Sequence, residues 1–514
     1  MNRLIRGKLI LGIALSSTWL AACGGHKAEY WPTTAWRTST PEAQGIDSAG
    51  LLPLFTLAAQ RSLNLHSLIL IRHGTIVLEA YFYPFQKGMD HDLASATKSV
   101  TATALAVAQQ NGLSIDLHQP VLAYFPDRQV AFLDERKAAM TVEDLLTMRS
   151  GLAFAEETEF WAMMQTSDWV QYMLDREMAW APGTHFNYSN GDSLLIAAIV
   201  QQAVQATVLA FAKEHLFAPL GISRVRWPGP TGITNGFGDL HLLPTDMAKI
   251  GLLYLRGGVW EGQPILPASW TTTATRKHTD SSDPNAGYGY QWWTYNGGLY
   301  AAQGRGGQYI AVDEALDLVA VATGGAAQDS VGGYGDLFTS VIIPAVRSED
   351  PLPANPAAVG DLADAVAAVA AAPAAQPVAA APALAALVSG VRYVFADTPD
   401  GVRGMTLFFD SPAQGRVRVE LADRTLELAL GLDGSDRITP RPDGYDDTIT
   451  FFDLPSALRG AWQGEGQFVL RWDEIGNINL WTLTFQFSGT TAEIDAVEST
   501  YMPPRHFTAR QELP

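Results

Sequence analysis

Ser95-Ala96-Thr97-Lys98 places a hydroxyl and an amine three residues apart, and the stretch that follows, Val100 to Ala108, is apolar or small until Asn111-Gly112. A run closed by glycine in this way predicts a helix with Ser95 at its mouth. Residues three apart share one helix face, so the Lys98 amine can lie beside the Ser95 hydroxyl. A serine needs such a neighbour: its hydroxyl is a poor nucleophile until an adjacent base takes the proton, and a helix N-terminus favours developing negative charge. Of the eight lysines, only Lys98 follows a serine by three residues. A second candidate is the polar turn Pro182 to Asn190, which precedes an apolar helix from Ser193 to Val204 and presents Tyr188 and Asn190 at its entrance. A tyrosine pushed toward its phenolate by a nearby ammonium can act as general base for a serine, and Lys98 is the expected partner. A third stretch, Gln303-Gly304-Arg305-Gly306-Gly307-Gln308, puts glycines inside a strand-like run, which marks a bulge or the close approach of another backbone or a ligand.

These groups must be positioned by a chain of 514 residues that is 47% hydrophobic and 17% charged, enough for a large core and two or three domains. The formal charge of -19 and the lack of a basic stripe beyond the first eight residues argue against a nucleic-acid partner. Arg3, Arg6 and Lys8 precede an apolar run from Leu9 to Leu20, short for a membrane span but suited to a secretory signal. The run ends at Leu20-Ala21-Ala22-Cys23-Gly24, which resembles a bacterial lipobox, and Cys23 is the only cysteine. The expectation is a signal peptide over 1–22, a lipidated tether over 23–40 attached through Cys23, and an exported protein whose membrane contact is that anchor.

The coarse pattern over 41–348 is mixed. A helix is expected near Leu51 to Arg61, and a hairpin from Leu68–Arg72 and Thr75–Tyr83 about His73-Gly74. Thr141 with Asp144 reads as a capping box. Gly287 to Trp293, Ala301 to Ile310 and Leu316 to Ala322 read as consecutive antiparallel strands. From 349 to 388 alanine and proline dominate, which reads as a linker, partly helical and otherwise a semi-stiff spacer. Over 389–514 short alternating runs between Gly and Asp turns predict a small all-β sandwich or barrel. Adjacent Asp473-Glu474 reads as a turn there. Trp161, Tyr290, Trp292 and Trp293 could line an acyl pocket or pack a core. There is no Gly-x-Ser-x-Gly elbow, and no His-Glu-x-x-His or paired cysteines, so neither an α/β-hydrolase nor a metal site is expected. No cofactor is expected either.

With Ser95-Ala96-Thr97-Lys98-Ser99, Leu145 to Leu152, Tyr188-Ser189-Asn190, Leu243 to Ala248 and Gly287 to Tyr290 in this order, the chain resembles the serine β-lactamase and penicillin-binding-protein superfamily. The resemblance runs from Trp36 to Val346 and is nearest to the class C-like branch of esterases, D-amino-acid amidases and 6-aminohexanoate-dimer hydrolases. It implies an α+β fold, an antiparallel sheet flanked by helices with a helical subdomain. It implies that Ser95 forms an acyl-enzyme, that Lys98 and Tyr188 share the proton transfers, and that Asn190 orients Lys98 or the substrate. The oxyanion hole would combine the N–H groups of Ser95 and Gln308. Arg305-Gly306-Gly307 would stand where relatives carry Lys-Thr-Gly or His-x-Gly, with Arg305 available to a substrate carboxylate. The missing hydroxyl of that motif favours ester or amide hydrolysis over β-lactam turnover or D,D-peptidase activity; a sensor that only captures an acyl ligand is the non-enzymatic alternative. The implied partner is a small-molecule or short-peptide acyl substrate.

Overall fold

The computed structural model describes residues 30–512 except 230, 328–331, 379, 397, 399–400, 441–453 and 501, so the expected signal segment and Cys23 lie outside the described residues. An eight-stranded antiparallel sheet forms the centre of the N-terminal region. Its strands are β1 (Leu65–Arg72), β2 (Thr75–Tyr81), β3 (Thr279–Asp280), β4 (Ala286–Tyr288), β5 (Trp293–Tyr295), β6 (Leu299–Gly304), β7 (Gln308–Asp313) and β8 (Leu318–Gly324). They lie in the order β2-β1-β8-β7-β6-β5-β4-β3. The β1–β2 hairpin forms where expected, because His73 and Gly74 take φ +50 and +68 and so make a turn that matches strand twist.

Both faces of the sheet are covered, which explains why β1 is buried along its whole length. Successive side chains point to opposite faces. Ile69, Ile71, Ile310, Val312, Val319 and Val321 join one core cluster, and Leu68, Leu70, Tyr309, Ala311, Leu318 and Ala320 join the other. The first cluster contains helix Thr97–Gln110, whose Ala, Thr and Ser side chains let it sit in the middle of the molecule, buried from Thr97 to Ala108. Thr101 and Thr103 satisfy their hydroxyls on the carbonyls of Thr97 and Ser99 one turn back. The Thr141–Asp144 capping box is present.

The Ala/Pro-rich stretch is helical in part, as expected. Helix Pro356–Ala370, capped by Asn355, buries Ala358 and Leu362, and Leu362 joins the second core cluster. A solitary helix of this length is marginal in water, so packing rather than alanine content holds it. Beyond it, Arg392 to Gln511 form a β-barrel. Nine strands close through the parallel bridge between Gly431 and Arg459, with Arg437–Thr439 pairing outside the ring. Closure resolves the sandwich-or-barrel alternative, since it leaves no free edge in the ring. Asp473 and Glu474 are not a turn: they end strand Gln467–Glu474, both buried, on opposite faces.

Candidate active site

Ser95 lies in a single turn, Ala94–Ala96, that leads directly into helix Thr97–Gln110. Ala94 takes φ +43, a left-handed conformation that costs a residue bearing a Cβ about 1–2 kcal/mol. Asp92 holds this bend, its Oδ1 accepting the Ala94 N–H at 2.8 Å. Lys98, one helical turn deeper, is 1% exposed. Its Nζ stands 2.8 Å from Ser95 Oγ, 2.6 Å from Asn190 Oδ1 and 3.2 Å from the Phe237 carbonyl. Burial brings the Lys98 amine from the ordinary lysine range down to about 7, with the charge of Glu156 opposing. At neutral pH much of it therefore carries a lone pair beside the serine hydroxyl.

Tyr188 and Asn190 arrive together because Ser189 caps helix Asn190–Val204, accepting the Asp192 N–H at 3.1 Å. Lys98 Nζ lies 4.9 Å from the centre of the Tyr188 ring, and the Tyr188 hydroxyl hydrogen-bonds Ser95. Ser95, Lys98, Tyr188 and Asn190 are thus brought to one point. The electrostatics differ from expectation, however. Burial pushes the Tyr188 phenol up, not toward phenolate. Desolvation acts on both groups and favours their neutral forms, an amine with its lone pair free and a phenol that keeps its proton. Trp293 stacks on Tyr188 at 5.9 Å and Trp161 sits on Phe160 at the rim, whereas Tyr290 and Trp292 are core residues.

The glycine stretch is reorganised. Residues 301–310 do not form one strand: Gly304 pairs with Gln308, and Arg305-Gly306-Gly307 is the hairpin turn between β6 and β7. Gly304 is the residue that abuts the nucleophile turn, since a Cβ there would stand 2.3 Å from the Leu93 carbonyl and 3.1 Å from Ala96 N. The Gly307 N–H donates to the Gly304 carbonyl at 3.2 Å, so the backbone polar groups of Gly304 point at β7. Arg305 follows directly and opens the turn, one residue from that contact with the Ser95 bend. Gln308 pairs with Gly304 across the hairpin, and its side-chain amide donates to the Arg305 and Gly324 carbonyls at 2.9 and 2.6 Å, which locks the hairpin to β8. Gly306 and Gly307 serve the turn with φ +79 and +99. The Arg305 guanidinium points to the barrel, where it meets Asn479 Oδ1 at 3.1 and 3.2 Å and Thr500 Oγ1, rather than waiting for a substrate carboxylate.

Two residues at the site have no signature in the sequence. Glu156 accepts the Asn190 backbone N–H, and its Oε2 accepts Asn190 Nδ2 at 2.8 Å, so it fixes the amide whose oxygen faces Lys98. Burial pushes its carboxyl up, opposed by Lys98. Gln291 ties three segments together: its Oε1 accepts Ser193 Oγ at 2.6 Å, its carbonyl accepts Ser99 Oγ at 2.5 Å, and its Nε2 donates to the Leu145 and Leu146 carbonyls at 3.1 and 3.0 Å. Glu156→Gln removes the negative charge that holds the Lys98 amine up. The acid limb of the kcat/KM profile is therefore expected to move to lower pH in that variant, and a limb that stays in place would disprove the coupling.

An antiparallel sheet flanked by helices, with a serine, a lysine and a tyrosine meeting at one helix mouth, defines a serine hydrolase of the β-lactamase fold. The β-lactamase family profile matches residues 58–324, and the chain belongs to that family. The 6-aminohexanoate-dimer hydrolase of Paenarthrobacter ureafaciens is 23% identical over 277 residues, 49% of this chain and 70% of that protein. A Bacillus anthracis structure provisionally named as a 6-aminohexanoate-dimer hydrolase superposes with a TM-score of 0.52 at 18% identity, covering 64% of this chain and 91% of that one. The octameric penicillin-binding-protein homologue of Pyrococcus abyssi aligns over 89% of this chain and 98% of its own, at 16% identity and a TM-score of 0.47.

Proposed function

We propose that the protein is an exported hydrolase that cleaves an ester or amide through a Ser95 acyl-enzyme. The observation that carries this reading is the 2.8 Å contact between Ser95 Oγ and a Lys98 amine whose pKa burial has lowered to about 7. Ser95 Oγ attacks the substrate carbonyl carbon and its proton passes to Lys98 Nζ. The carbonyl oxygen becomes an oxyanion held by the N–H groups of Ser95 and Arg305. As the carbon–heteroatom bond breaks, Tyr188 gives its proton to the leaving alcohol or amine and is reprotonated from Lys98. Water then attacks the acyl-enzyme, gives its proton to Lys98, and the returning proton regenerates Ser95. Asn190, fixed by Glu156, keeps the amine aimed at Ser95 throughout.

Because Arg305 is held by Asn479 and Thr500, a substrate carboxylate finds no ready partner in it, which supports an ester or neutral amide over a β-lactam or a D,D-peptide. A fluorophosphonate probe tests the mechanism: the expected result is a covalent adduct on the tryptic peptide that contains Ser95, with loss of hydrolysis of short acyl esters. An unlabelled peptide in an esterolytic preparation would contradict it.

Export and lipid attachment at Cys23 belong to the same proposal and rest on the sequence over residues 1–23. In a bacterial host the full chain is expected in the membrane fraction, and Cys23→Ser is expected to shift it to the soluble exported fraction. Equal membrane recovery of both would remove the anchor from the proposal.

A further inference from the structure

The turn Ile475–Asn479, between barrel strands Gln467–Glu474 and Leu480–Ser488, reaches into the hydrolase domain and touches both walls of the space beside Ser95. On one wall the Asp92 N–H donates to the Gly476 carbonyl at 2.9 Å, and Asp92 in turn holds the bend at Ala94. On the other, Ile478 lies against the hairpin, its Cγ2 2.3 Å from where a Gly306 Cβ would stand and its carbonyl 2.7 Å from where a Gly325 Cβ would stand. Only glycine admits that approach. Asn479 completes the contact, its Oδ1 accepting both Arg305 Nη1 and Nη2. The turn is itself stiffly held: Asn479 Nδ2 donates to Glu474 Oε2 at 3.3 Å, Asn477 Nδ2 donates to the same oxygen at 2.9 Å, and Trp481 Nε1 donates to Glu474 Oε1 at 2.6 Å. Glu474 is 2% exposed, inside the barrel wall. An unbroken series of hydrogen bonds thus runs from the barrel interior to the side chain of Arg305, the residue that follows Gly304 at the Ser95 bend.

We propose that Asn479 is a positioning residue for the reaction, which places the Arg305 N–H against the developing oxyanion by holding the Arg305 side chain from the barrel. The inference rests on the acyl-enzyme reading above. It gives the C-terminal barrel a part in catalysis, as the outer support of the oxyanion hole. A donor that binds only the transition state changes kcat rather than KM, and losing one outright costs about 10²- to 10³-fold. A displaced donor costs less, so Asn479→Ala in the full chain is expected to lower kcat per Ser95 titrated with fluorophosphonate by about tenfold or more, with KM within about twofold. Counting titrated sites removes any share of misfolded protein from the comparison. Should Asn479→Ala fail to fold, Thr500→Val, which deletes the other acceptor at near-constant volume, is expected to lower kcat in the same way. Labelled wild type with an unchanged kcat in the folded alanine variant, or in Thr500→Val where it alone folds, overturns the proposal. Wild type that carries no label at Ser95 overturns the acyl-enzyme reading instead.

Discussion

Replacing Ser95 by alanine is expected to lower ester turnover by about 10⁴-fold or more, since removing the nucleophile leaves only binding and oxyanion stabilisation. The side chain holds no core together. Its contacts are Lys98 Nζ and the Tyr188 hydroxyl, both part of the same site. Melting should therefore move by no more than about 2 °C. The comparison is made on purified full-length protein, with melting followed alongside hydrolysis and fluorophosphonate labelling. A folded Ser95→Ala protein that hydrolyses esters at the wild-type rate would end the proposed mechanism.

The second large effect concerns the amine. Lys98→Ala is expected to cost about 10³-fold, within the range for loss of a general base. The pH dependence is the sharper measurement. The proposed base is the neutral form of Lys98, so the sign is fixed: kcat/KM of the wild type rises with pH, through a midpoint of about 7, and then levels. Burial holds the Tyr188 phenol above its usual range, so the proton that the leaving group needs stays available across that plateau. In Lys98→Ala the residual rate should lose this limb. A wild-type profile flat between about pH 5 and 9 would show that the amine does not set the rate.

The pairing of Ser95 with Lys98 was legible because it is local: helical geometry alone puts positions three apart on one face. The β1–β2 hairpin, the Thr141 capping box and the entrance to helix Asn190–Val204 were legible for the same reason, each encoded within a few adjacent residues. The hairpin at Arg305–Gly307 shows the limit of such evidence. Glycines in a strand-like run announced a close approach, but not which glycine makes it. The answer, Gly304, depends on the packing of β6 against the turn before Ser95, some two hundred residues earlier in the chain.

The sequence alone singled out Ser95 with Lys98 as a local pair, Tyr188 and Asn190 in the second turn, and the division into a mixed α/β region followed by β-structure. These follow from spacing and periodicity, which act over one or two turns of chain. Tertiary structure set the protonation of the two buried groups, because desolvation depends on everything packed around Lys98 and Tyr188. It also decided that Glu156 fixes Asn190 and that Arg305 belongs to the barrel through Asn479. Those contacts join residues 34 and 174 positions apart, and no local pattern records a distance that only the folded chain closes.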